Sequence, residues 1–145
     1  MSTGQVSPVQ VTFRRSATGQ LQERTWMEEG QQSVLAEVSR EMVRVYKEQF
    51  GRGPTRTRTQ WAGPDVLITV LEDTLTPVER RLLTMGEHQR VRDMRMFFQY
   101  ASRPHFVEPV ERLTGRKVKS FLSAIDTETD GVAMETFILE PDGER

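Results

Sequence analysis

Three arginines with no acid between them are the first place where this chain could do chemistry. Arg52 sits in Gly51-Arg52-Gly53-Pro54, and Arg56 and Arg58 alternate with threonines in the stretch that follows. On a strand, residues two apart share a face, so Arg56 and Arg58 project together. The next acid along the chain is Asp65. Guanidinium groups hold carboxylate and phosphate in bidentate fashion, which makes Arg52, Arg56 and Arg58 a candidate site for an anion or an acidic partner. The competing reading is a solvated outer sheet face whose charges discourage edge pairing. Arginine supplies 17 of the 20 basic residues. Codon usage in a GC-rich genome produces the same excess without any ligand.

Other chemistry-bearing residues do not converge in the sequence. Gly51-Arg52-Gly53-Pro54 follows a helix, at the negative end of its dipole, whereas phosphate prefers an N-terminus. It also lacks the lysine and the length of a P-loop and is no dinucleotide fingerprint, so no cofactor is expected. His88 follows Glu87, and His105 and Glu108 fall on one helix face, yet a metal site needs three or four ligands and no neighbours supply them. A hydrolytic role for His88 or His105 would need a partner group that the spacing does not provide. Asp126, Glu128 and Asp130 alternate as in a calcium loop, but Phe137 stands where the closing glutamate belongs, so a polar hairpin turn is expected. Serine and aspartate form no nucleophile elbow or triad pattern. No catalytic residue and no metal site is therefore assigned, and the chain is expected not to be an enzyme.

The elements that must carry these residues follow from periodicity. Residues 1–25, with Gly4, Pro8, Gly19 and few apolar side chains, read as a flexible arm, apart from a Val9-Val11-Phe13 alternation that suits a short strand. From Trp26 to Phe50 the apolar positions Leu35, Val38, Met42, Val45, Tyr46 and Phe50 make one helical stripe, closed by Gly51. Thr55–Trp61 and Val66–Leu71 read as a hairpin; the second is a continuous apolar run, as in a strand covered on both faces. Thr76-Pro77-Val78-Glu79 is a capping box opening a helix that stops near Gly86. A further helix should bury Val91, Met94, Phe98 and Ala101 and break at Pro104. A last helical stretch carries Phe106, Val110 and Leu113 to Gly115, with Pro109 awkward inside it. Met94, Met96, Phe97, Phe98 and Tyr100 exceed one narrow stripe, which suits core packing first and a homodimer or partner contact second. Val118–Ile125 and Val132–Leu139 form a second hairpin, and residues 142–145 a tail. The order predicts an α+β domain over 26–141, an antiparallel four-stranded sheet with helices packed on one face.

Several of these landmarks, taken together, resemble one bacterial family. They are the amphipathic helix running into Gly51-Arg52-Gly53-Pro54, then Leu75-Thr76-Pro77-Val78-Glu79-Arg80, then Leu113-Thr114-Gly115-Arg116-Lys117-Val118, and finally Phe137-Ile138-Leu139-Glu140-Pro141. The family, formerly a domain of unknown function, is named after MpsC of the sodium-translocating membrane-potential-generating system. The similarity runs from about Gln31 to Pro141. It implies an accessory or regulatory role beside a membrane complex that moves sodium or bicarbonate, and it carries over no catalytic residue.

Composition bounds the alternatives. The chain has 145 residues, 20 basic and 21 acidic side chains and no cysteine, with a mean hydropathy of −0.56. A net charge of −1 argues against a nucleic-acid binder that works through a globally basic surface. The lack of cysteine excludes disulfides, thiolate zinc sites and a cysteine nucleophile. No apolar run reaches the ~18 residues of a membrane span, and no secretory leader pattern opens the chain. The expectation is a cytoplasmic protein, peripheral to the membrane at most, with a transporter subunit or a second copy as partner. A small-anion or nucleotide sensor at Arg52, Arg56 and Arg58 is the alternative. Charge is uneven along the chain: residues 116–145 carry 4 basic and 7 acidic side chains, whereas 52–58 carry three arginines and no acid.

Overall fold

The structure, a computed structural model, describes the backbone of residues 18–142 and the side chains of residues 29–142. Four helices and four strands follow one another as α1 (Thr18–Phe50), β1 (Arg56–Trp61), β2 (Val66–Glu72), α2 (Pro77–Thr84), α3 (His88–Ala101), α4 (Arg103–Thr114), β3 (Val118–Ile125) and β4 (Ala133–Leu139). The strands form one antiparallel sheet in the order β1-β2-β4-β3, two hairpins joined through β2 and β4. This is the α+β arrangement that the element order predicts.

Local chemistry sets most boundaries. α1 begins at Thr18 rather than at Trp26. Apolar periodicity fails as a guide there, but Leu21, Gln22, Glu23 and Arg24 are good helix formers. Residues 18–25, expected as part of the arm, are therefore helix, while the rest of the arm and its Val9-Val11-Phe13 alternation lie outside the described residues. At the other end Gly51 adopts φ +75 and its N–H returns to the Lys47 carbonyl at 2.9 Å, the left-handed stop that glycine permits. Thr76 caps α2: its hydroxyl accepts from the Glu79 N–H at 3.2 Å, and the Thr76 N–H donates to Glu79 Oε1 at 2.8 Å. α3 stops at Ala101 and Pro104 falls in the first turn of α4. Pro109 is tolerated inside α4, where its ring is buried with Phe106, Val107 and Val110.

The helices cover one face of the sheet. Leu35, Val38, Met42, Val45 and Tyr46 of α1 meet Phe106, Val107 and Val110 of α4 over Leu67, Leu71, Phe121, Ala133, Phe137 and Leu139 of the sheet. Phe121 lies between Phe106 and Phe137, with ring centroids 5.2 and 5.3 Å away. The α3 face differs from expectation. Its buried residues are Val91, Arg95 and Gln99, and Phe98 is exposed. The periodicity argument favoured Met94 and Phe98 because they are apolar; the polar side chains win the inward positions because buried partners await them.

Candidate contact surfaces and a buried polar centre

Two arginines tie the ends of the sheet to its surroundings, and the first of them is Arg52. It does not face outward as a free cation. Its guanidinium donates to the Leu75 carbonyl at 2.6 Å and pairs with Asp73 at 3.1 Å, tying the end of α1 to the loop between β2 and α2. Asp73, the only non-glycine described residue with positive φ, also accepts Arg80. The Arg52 hydrogen bond, aided by both positive charges, holds the Asp73 carboxyl below its ordinary range. At the far end of the sheet Arg116 donates to the Pro64 and Glu140 carbonyls at 2.9 and 2.7 Å, pairs with Asp65 at 2.6 Å and lies over the Trp61 ring.

The proposed trio is therefore split. Arg56 and Arg58 do share a face, on β1 and away from the helices, as strand alternation requires. Arg56 meets Glu72 across the β1–β2 pair at 3.5 Å, so the acid that sequence proximity did not supply comes from the hairpin partner. Arg58 is exposed and has no ion pair among the described residues. Reading all three as unpaired thus holds only for Arg58.

The histidines stay apart. His88 approaches Thr127 Oγ1 at 2.9 Å and Glu128 at 3.7 Å at the start of α3, while His105 is exposed at the start of α4. Among the described residues no three His, Cys, Asp or Glu side chains gather to hold a metal ion. The 126–131 connection is a polar turn: Asp126 accepts from the Glu128 N–H at 2.9 Å and the Thr129 hydroxyl at 3.1 Å, while buried Thr127 also receives Arg92.

Sequence reasoning missed a polar centre between helices and sheet. Arg95 is fully buried, with its guanidinium 4.0 Å from the centre of the Phe50 ring. It grips Glu79 through Nε and Nη2 and donates to the Thr74 carbonyl at 2.6 Å. Burial opposes the charge on Glu79, but the Arg95 and Thr76 hydrogen bonds outweigh it and leave its carboxyl below the usual range. Nearby, Tyr46 donates to Glu135 Oε1 at 2.6 Å, and Gln99 Nε2 donates to the same oxygen at 2.7 Å. Burial drives the Glu135 carboxyl from 4.5 up to about 8, against the pull of Tyr46, Ser123 and the Arg95 charge. Glu135 Oε2 and Ser123 Oγ, on residues opposite one another in the strand register, are buried and have no hydrogen-bond partner among the described residues. Burial thus keeps the Glu135 carboxyl protonated and neutral below about pH 8. The cue available in sequence was Glu135 at an inward position of β4.

Apolar side chains remain uncovered on two sides. α3 turns Phe97 out with 71 % of its surface exposed, and Phe98 and Tyr100 are also exposed. Tyr100 additionally caps the free edge of β3 by accepting the Ser123 N–H at 3.2 Å. The second side is the sheet face opposite the helices. Separately, on the helix side of the sheet, a cleft of about 1110 Å³ opens beside Val34, Trp61, Pro64, Leu113 and Arg116.

These features define a small α+β protein with a helix-covered sheet, an internally wired core and two groups of exposed apolar side chains. No helix among the described residues is long and apolar enough to cross a membrane. The chain belongs to the MpsC family, described as the Na+-translocating membrane potential-generating system, whose model matches residues 30–141. No curated protein and no solved structure matches the chain.

Proposed function

We propose that the protein is a non-enzymatic accessory or regulatory component of a membrane system that translocates sodium or bicarbonate and so generates potential. Family membership over residues 30–141 carries this reading. The exposed α3 aromatics Phe97, Phe98 and Tyr100 supply a surface for a transporter subunit. The role is cytoplasmic and peripheral, with the protein held by protein contacts. Affinity capture of the full chain from detergent-solubilised membranes of its native cell tests this. An ion-translocating subunit should come down with the wild-type chain and be lost with Phe97→Asp. Capture of no membrane subunit would refute the reading.

A second reading, a sensor of small anions or nucleotides, draws on Arg58, the member of the arginine trio without an ion pair. Thermal-shift measurements with phosphate, nucleotides and bicarbonate decide it. A ligand at 100 times its Kd adds ~2.7 kcal/mol of stability, and Arg58→Ala should abolish the shift. No shift with any of them removes this reading.

A further inference from the structure

The outer face of the sheet is apolar where contact with water alone does not explain it. β2 buries Leu67, Thr69 and Leu71 beneath the helices, yet its opposite face, Val66, Ile68 and Val70, is equally apolar. An antiparallel strand with one solvated face ordinarily alternates with polar residues; a continuous run belongs to a strand covered on both sides. β4 adds Met134 and Ile138 to this face and β3 adds Leu122, with Leu122 48 % and Met134 38 % exposed. The register aligns them in rows across the sheet, Gln60-Ile68-Thr136-Leu122 beside Arg58-Val70-Met134-Ala124. No described helix covers them.

Charge on this face is arranged asymmetrically. Arg56 and Arg58 lie on the β1 edge, toward the end where β1 begins. At that same end, on the opposite edge, exposed Asp126 follows β3 and its N–H continues the ladder to the Val132 carbonyl, so alternation after the inward Ile125 sets it on the outer side, where its carboxylate also receives the Glu128 N–H and the Thr129 hydroxyl. Glu72 shares this face and stands 3.5 Å from Arg56, so the β1 corner, with Arg56 and Arg58 against one acid, keeps a net positive charge, and the Asp126 corner is acidic at equal height along the strands. If two such faces meet about a two-fold axis parallel to the strands, β1 of each copy lies over β3 of the other. Arg56 of each copy then stands over Asp126 of the other, and Val70 over Met134. A two-fold axis perpendicular to the strands instead sets Arg56 over Ala62, and no arginine meets an acid. Isologous interfaces require such self-complementarity, and sheets packed face to face sit about 10 Å apart, within reach of arginine side chains.

We propose that the outer sheet face is the interface of a two-fold dimer of this chain, formed about an axis parallel to the strands and registered by Arg56 against Asp126 of the second copy. The dimer leaves the α3 aromatics free, on the helix side of each copy. It does not depend on the membrane role proposed above. Light scattering on the eluting full-length protein tests it. The wild-type chain should show twice its 16.7 kDa in the micromolar range. Leu122→Lys with Met134→Lys changes two partly exposed positions and should give a monomer with an unchanged circular dichroism spectrum. Arg56→Glu, on an exposed side chain, should raise the dimer dissociation constant at least tenfold. Adding Asp126→Arg to Arg56→Glu should restore dimerisation. A wild-type monomer, or a dimer that survives the Leu122/Met134 changes in folded protein, overturns the proposal. Restoration failing in a folded double variant overturns the registered geometry.

Discussion

Glu135 places a titration at the centre of the molecule. Its carboxyl is neutral in the folded protein up to about pH 8 and ionises near 4.5 once unfolded. Between those values the folded state keeps a proton that the unfolded state releases, so stability falls as pH rises. The contribution is complete below pH 4.5 and gone above pH 8, at ~1.4 kcal/mol per pH unit in between. Asp73 and Glu79 act in the opposite sense, because their lowered pKa values give stability that is lost as pH falls through the acid range. Glu135→Gln keeps the shape and cannot ionise. Chemical denaturation of this variant should show a flatter profile between pH 5 and pH 8, with greater stability than wild type at pH 8. Equal slopes for the two proteins would mean that Glu135 is not the group responsible.

At the scale of elements, the capping box of α2 is also half of a tertiary pair. Glu79 satisfies the Thr76 N–H while its two oxygens receive Arg95 from α3, so one carboxylate starts a helix and anchors its neighbour. Breaking a buried ion pair from one side costs roughly 3–5 kcal/mol, because the remaining charge is left in the core. Arg95→Met should cost about that much in denaturant melts, and adding Glu79→Gln should recover a large part of it. Additive losses would contradict the pairing. Thr76→Ala removes one hydrogen bond of the cap and should cost ~1 kcal/mol. This region also marks how far the sequence could be read. Thr76, Pro77 and Glu79 lie within four residues, so the cap was legible. Arg95 lies 16 residues from Glu79, and Gln99 lies 36 from Glu135. Hydrophobic periodicity ranks such side chains as surface, and only tertiary partners reverse that ranking. The same holds for Arg52 and Arg56, whose acids Asp73 and Glu72 arrive from β2 and the loop after it.

For the whole molecule, element order was enough to predict two hairpins and one helix-covered sheet, but not that β2 and β4 would meet at its centre. That seam joins strands far apart in sequence, with β2–β4 partners such as Leu67 and Phe137. Its two ends are secured differently. Near Leu71 and Ala133, Arg52 ties α1 to the β2–α2 loop, and Thr74 Oγ1 donates to the Gly131 carbonyl at 2.6 Å. Gly131 has φ +82, and a Cβ there would come within 2.6 Å of Leu75 Cγ. At the other end the Leu139 N–H donates to the Asp65 carbonyl, and Arg116 spans from the β1–β2 turn to Glu140 after β4. Arg116 is the charged group that joins the hairpins there, and its side chain is only 12 % exposed. Arg116→Met removes the donors and the guanidinium that lies over Trp61, which should cost on the order of 2 kcal/mol. The loss should be local before it is global. Native-state hydrogen exchange should quicken at Leu139, Glu140 and Ala62, whereas amides near Leu71 and Ala133, secured by Arg52 and Thr74, should keep their protection. Gly131→Ala should loosen that opposite end and leave Leu139 protected. If either variant instead lowers protection evenly along the β2–β4 seam, the sheet opens as a single unit, and its two ends are not independently fastened.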